Sequence, residues 1–262
     1  MRQLISHGFK RLVGQDTRYA RGDRYARILA IATIKGGVGK TTTAVNLAAG
    51  LAHFCNQRVL LIDLDAQGHC TTSLASHMPD RPSSKPVSEI LLGSKDQLLD
   101  ALVSTNLPRL DLTPADPRLA EAAGRLGQKI GKELLMREAL KITRTHYDTI
   151  VIDCPPTQGN LTLNALLAAD RVLIPTDLSP LAIQGADELL GTLVTVNERL
   201  HHPLELFGIL LTRVDARNHS MNASLRREIR EAWADYLLPM EISINAKLAQ
   251  AQHAGQSIFD FA

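Results

Sequence analysis

The sequence predicts an α/β fold, a mostly parallel twisted sheet with helices on both faces, and three observations predict it. Short apolar runs at Arg27–Thr33, Arg58–Asp63 and Thr149–Asp153 read as strands buried on both sides. Helical patterns alternate with such runs, which is the signature of a parallel sheet. A glycine-rich loop, residues 35–42, joins the first run to the first helix.

Taken in order, the elements support that class. After the first strand and loop, Lys40–Phe54 is helical, and Arg58–Asp63 is a second strand. Residues 79–86 form a proline- and serine-rich loop. Val87–Val103 reads as a helix, and Leu110–Ala115 as a strand. Pro117–Gly127 and Lys132–His146 are helical, and Thr149–Asp153 is a strand ending in a carboxylate. Asn160–Ala169 (helix), Arg171–Pro175 (strand), Ile183–Leu200 (helix) and Leu206–Thr212 (strand) complete the alternation.

The 262 residues suffice for one α/β body without staples. Residues 1–26 are expected to be a basic extension and 27–262 the domain. Within the extension, Leu4, Ile5, Phe9, Leu12 and Val13 share half a helical wheel, with Lys10 and Arg11 opposite. That pattern suits a short arm for a membrane, a nucleoid or a partner, or else a loosely ordered tail. Residues 1–27 carry seven Lys/Arg against Asp16 and Asp23, which leaves 22 basic and 25 acidic side chains elsewhere. The body is therefore not generally basic, and nucleic-acid binding must come from a local patch. Aromatic residues make up only 4%, which argues against stacking platforms for single strands. No apolar run reaches eighteen residues and no secretory signal is present, so a soluble, cytoplasmic protein is expected. Cys55, Cys70 and Cys154 lack a C-x-x-C spacing and are expected to be small packing residues.

The loop reads Lys35-Gly36-Gly37-Val38-Gly39-Lys40-Thr41-Thr42. Gly36, Gly37 and Gly39 are expected to take positive φ and to let backbone N–H groups approach phosphate oxygens. The helix that follows adds its N-terminal partial positive charge. Lys40 is placed to meet β- and γ-phosphates, and the Thr41 hydroxyl to meet magnesium. Asp153 follows four apolar or β-branched residues at a strand end, where it can hold a magnesium water opposite Thr41. In an open parallel sheet ligands bind beyond the carboxyl ends of the strands, so the loop, Asp63, Asp65 and Asp153 should converge on one crevice.

The strict pattern G-x-x-x-x-G-K-[ST] fails here, because its first glycine falls on Ile34. A lysine immediately before the glycines makes this the deviant Walker A form of the P-loop NTPase loop, and the stretch resembles the ParA/MinD family of dimerising ATPases. The resemblance extends over approximately Ile28 to Phe261. It includes Leu61-Ile-Asp-Leu-Asp-Ala-Gln-Gly68, similar to the family's switch segment, with Ala66 and His69 where proline and asparagine are usual. It also includes Ile174-Pro-Thr-Asp-Leu-Ser-Pro-Leu-Ala-Ile-Gln-Gly185, Gly208–Asp215, and Ile244–Ala251 followed by Gly255–Asp260.

The resemblance implies ATP and Mg2+ as cofactors, a homodimer in the ATP state, and Lys35 reaching the neighbour's nucleotide. It further implies Asp65 as the residue that orients the attacking water and Asp63 nearer magnesium and the switch. Lys35, Lys40 and Asp65 are then the catalytic set, and residues 35–42 the nucleotide loop. Slow hydrolysis stimulated by a ParB-like or other adaptor, non-specific double-stranded DNA binding, nucleoid association and a role in plasmid or chromosome partition or cargo positioning are expected. Arg213, Arg217, Arg226, Arg227 and Arg230 are the candidate DNA contacts. A MinD-like positioning ATPase anchored to membrane by the N-terminal arm is the alternative; the sequence stops where relatives usually continue into a last helix, which counts against that branch. An iron-protein-like electron carrier shares the loop but needs two cluster cysteines per subunit.

Overall fold

The computed structural model describes residues 22–80, 85–93, 97–127, 131–215 and 219–261. The predicted arm face (Leu4, Ile5, Phe9, Leu12, Val13) and Arg217 lie outside them. Among the described residues eight strands form one sheet: β1 (Arg27–Ile31), β2 (Val59–Asp63), β3 (Val103–Ser104), β4 (Leu110–Thr113), β5 (Thr149–Asp153), β6 (Arg171–Thr176), β7 (Glu205–Val214) and β8 (Leu237–Ser243). Their order is β3-β4-β2-β5-β1-β6-β7-β8. Every pairing is parallel except the β3–β4 edge.

Helices α1 (Lys40–Phe54), α2 (His69–Ser73), α3 (Val87–Leu92), α4 (Leu119–Leu126), α5 (Leu135–Thr143), α6 (Asn160–Ala168), α7 (Pro180–Arg199), α8 (His219–Trp233), α9 (Ala246–His253) and α10 (Ile258–Phe261) cover the sheet. The period-two alternation of strands sends neighbouring side chains to opposite layers. Leu60, Ile62, Ile150 and Ile152 pack with α6 and α7, while Val59, Leu61 and Val151 pack with α1. The small buried face of α1 (Ala44, Ala48, Ala49, Ala52) lets that helix lie close to the sheet. The predicted class, a mostly parallel sheet with helices on both faces, is therefore what forms.

Two expectations fail locally. The predicted helix Val87–Val103 ends at Leu92, because Gly93 takes an extended conformation (φ −81°, ψ 159°). The chain then makes a 3-10 turn at Leu98–Ala101 and the two-residue strand β3. Cys55, expected to pack, is exposed just past α1, whereas Cys70 and Cys154 are fully buried.

The chain enters β1 at the amino ends of the strands. Arg24 N donates to Thr145 O at 2.9 Å and Ala26 N to Arg144 O at 2.7 Å. The Arg144 guanidinium lies 3.9 Å from the Tyr25 ring centroid, and Arg24 also pairs with Asp148. Residues 22–26 of the predicted extension thus pack on the body. Among the described residues, no helix is long and apolar enough to cross a membrane.

Candidate nucleotide site

Parallel pairing fixes the site. β5 lies between β1 and β2, with Ile31 and Asp63 both in register with Asp153. The two carboxylates therefore sit side by side at the carboxyl edge of the sheet, and the loop from β1 passes over them. Gly37 (φ 78°) and Gly39 (φ 80°) take the left-handed conformation expected of them. Gly36 is not among the positive-φ glycines, and a Cβ there would meet nothing within 4 Å, so its expected conformational need is not borne out. Gly39 is also the N-cap of α1 and supplies no side chain, which leaves the helix's first N–H groups without a side-chain cap.

Lys40 Nζ donates to Asp153 Oδ1 at 2.8 Å and lies 3.9 Å from Asp65. The Thr41 hydroxyl donates to Asp153 Oδ2 at 2.7 Å. Burial alone would lower the Lys40 pKa, but the charge and hydrogen bond of Asp153 outweigh it and raise the value. Asp63 is fully buried; its oxygens accept from Thr71 N and Oγ1 (both 3.1 Å) and from Asp65 N (3.2 Å). Burial and the neighbouring charge of Asp153 push its carboxyl up to about 7, against those hydrogen bonds. Asp65 turns the other way, as period-two spacing predicts: its Oδ1 accepts from Gln67 N at 3.1 Å, and it lines the cleft.

The cleft encloses about 560 Å3 between the loop and a wall formed by Ile244, Asn245, Leu248 and Gln252. The wall exists because Asn245 caps α9, accepting from Lys247 N at 2.9 Å, and so directs that helix beside the loop.

Several predicted and unpredicted residues are placed unexpectedly. Lys35 is at the loop mouth, as read, but its Nζ is 3.1 Å from both oxygens of Asp177 and 2.7 Å from Ser179 Oγ. Arg213 does not join the other arginines. It occupies the left-handed region (φ 52°) and its Nη1 donates to Gly37 O at 2.7 Å, which puts it on the nucleotide loop. Arg226 lies on α8 but is neutralised by Glu241, with Nη2–Oε1 at 2.8 Å. Arg227 and Arg230 are exposed and border a shallow depression beside it. Cys70 does more than pack: its thiol donates to Asp153 Oδ2 at 3.3 Å, and burial beside Asp153 and Asp63 holds its pKa well above the ordinary thiol value. The Thr212 hydroxyl lies 2.6 Å from Val38 O and 3.1 Å from Thr176 O, fastening the loop to β6 and β7.

The fold and this glycine loop, with its lysine, threonine and strand-end carboxylate, define a P-loop nucleotide-binding protein. The family model described as an AAA domain matches residues 26–206. The chromosome partitioning protein ParA of Caulobacter vibrioides (strain NA1000 / CB15N) is 38% identical over 234 residues, covering 88% of this chain and 86% of its own. The sporulation initiation inhibitor protein Soj of Bacillus subtilis (strain 168) is 38% identical over 232 residues, 88% of this chain and 90% of its own. Among solved structures, cobyrinic acid a,c-diamide synthase from Mycobacterium smegmatis, with bound ADP and magnesium, is 36% identical with a TM-score of 0.75, covering 87% and 91% of the two chains. The chain belongs to the ParA/Soj family of partition ATPases.

Proposed function

We propose that this chain binds ATP and Mg2+, dimerises around them, binds double-stranded DNA without sequence preference in that state, and hydrolyses ATP when an adaptor stimulates it. The observation that carries the reading is the convergence of Lys35, Lys40, Thr41, Asp65 and Asp153 on one cleft at the carboxyl ends of β1, β2 and β5.

The residues fit the cofactors. The two left-handed glycines leave a cradle without side chains at the start of α1, suited to an anion. The Thr41 hydroxyl and the Asp153 carboxylate already meet across 2.7 Å, the oxygen pair that would hold magnesium, with Asp63 behind them. Magnesium held by Thr41 and Asp153 would supply positive charge against the phosphates. Lys40, now on Asp153, would be placed to turn to phosphate oxygens, and Asp65 to orient the attacking water. Phosphoryl transfer needs positioning more than a strong base, so a carboxylate suffices. Lys35 supplies positive charge to the nucleotide of a second copy, working as an arginine finger does but as a point charge. Arg227 and Arg230 offer the free phosphate contacts, doubled across a dimer, so binding should weaken steeply with salt.

Sedimentation with duplex DNA in ATP and in ADP tests this. ATP should promote both dimer and DNA binding, and Lys35→Ala should abolish both. Asp65→Ala should keep the ATP dimer while lowering turnover by about a hundredfold or more. Arg227→Glu with Arg230→Glu should lose DNA but not the dimer. Equal DNA association in the two nucleotides refutes the switch.

A further inference from the structure

The ammonium of Lys35 is fully engaged within its own chain. A lysine has three donors, and here three acceptors face it: both Asp177 oxygens and Ser179 Oγ. The Ser179 hydroxyl is itself used up, since it donates to Asp177 Oδ1 at 2.5 Å and accepts from Ala182 N at 3.3 Å as the N-cap of α7. The Lys35 and Asp177 side chains are only 28% and 19% exposed. Below them α7 touches the loop again: a Cβ on Gly185 would stand 3.7 Å from Ile34 Cβ and 3.7 Å from Lys35 N. Asp177 stands in the turn between β6 and α7, and Ser179 anchors that turn as the cap of a 20-residue helix that buries Ala186, Leu189, Leu193 and Val196 in the core. The lysine stem is the part that can swing.

We propose that Asp177, braced by Ser179, is a latch that holds Lys35 in its own subunit and sets the threshold for dimerisation. This rests on the reading that Lys35 serves the nucleotide of a second copy. With its three protons directed to Asp177 and Ser179, the ammonium has none for another chain's phosphates. The two partners therefore compete, and only the unlatched fraction is competent to dimerise. Hydrogen bonds to a charged group of this kind correspond to about a tenfold population bias. A two-fold dimer releases two lysines, so losing the latch should tighten its dissociation constant by about a hundredfold.

Sedimentation equilibrium of the full chain with magnesium and a slowly hydrolysed ATP analogue reads this directly. Asp177→Asn should shift the monomer–dimer midpoint to about a hundredfold lower protein concentration. Ser179→Ala should shift it the same way by less, and Asp177→Glu, which keeps the carboxylate, should stay near wild type. Thermal melting of each monomer separates a folding defect from a changed midpoint. A midpoint that is unchanged or higher in both Asp177→Asn and Ser179→Ala, beside a Lys35→Ala chain that stays monomeric, overturns the latch and leaves the function reading intact. A Lys35→Ala chain that dimerises like wild type overturns both.

Discussion

Truncating Lys40 to alanine should destabilise the nucleotide-free protein by about 3–5 kcal/mol, because it strands a buried carboxylate. Asp153 is fully buried, its Oδ1 is 2.8 Å from the Lys40 ammonium, and the equally buried Asp63 is its neighbour in register. No other Lys or Arg among the described residues forms an ion pair with Asp153. Against a total stability of about 5–15 kcal/mol the loss is large, corresponding to a fall in melting temperature of roughly 10 °C. Urea unfolding at pH 8 measures it. Adding Asp153→Asn should recover about 2 kcal/mol or more, since it removes the stranded charge. If Lys40→Ala costs the same with and without Asp153→Asn, the effect is lost packing and the electrostatic account of the site is wrong.

Two further perturbations probe the frame around the site. Partial burial raises the Asp148 carboxyl, but hydrogen bonds from Arg58 N and Arg24 outweigh this and hold it below its ordinary value of 3.8. Its stabilisation is therefore present above pH 3.8 and lost as pH falls through the lower folded value. Asp148→Asn should lower the urea midpoint at pH 7 and converge with wild type at strongly acid pH; a gap independent of pH would refute the assignment. Gly255→Ala should cost about 1–3 kcal/mol in thermal melts, since φ is +68° and the new Cβ would lie 2.9 Å from Ser76 N and 3.2 Å from Ala75 Cβ. A neutral result there would mean that the Ser76–Gly255 contact yields freely.

The centre of the sheet was legible because parallel interior strands are apolar on both faces. Val59–Asp63 is buried at every position, and its sequence already reads as a strand ending in a carboxylate. β8 was not read as a strand: it is an edge strand, carries Pro239 and is largely exposed, so no burial pattern marks it. The helix expected through Val103 crosses Gly93, whose extended backbone ends it. The loop and its carboxylates were legible because strand ends gather on one edge. Asp177 and Ser179 stand out in the sequence only as part of a segment that resembles the family's. A carboxylate and a hydroxyl just past the carboxyl end of a strand were the available signal, but a contact spanning 142 residues leaves no spacing to count. Arg213 and Arg226 share residue type and a stretch of chain with the other arginines, whereas a left-handed backbone and a glutamate 15 residues away decide where their charge goes.

The seam between residues 22–26 and the Arg144–Asp148 turn has a geometric consequence. It fixes the start of the described chain at the amino pole of the sheet, while the phosphate loop crowns the opposite pole, with the length of β1 (about 13 Å at 3.3 Å per residue) between them. Two bodies closed face to face through their loops would therefore carry residue 22 outward, at the far ends of the pair. In the dimer proposed above, residue 22 of each body would then stand clear of the face through which the two copies close.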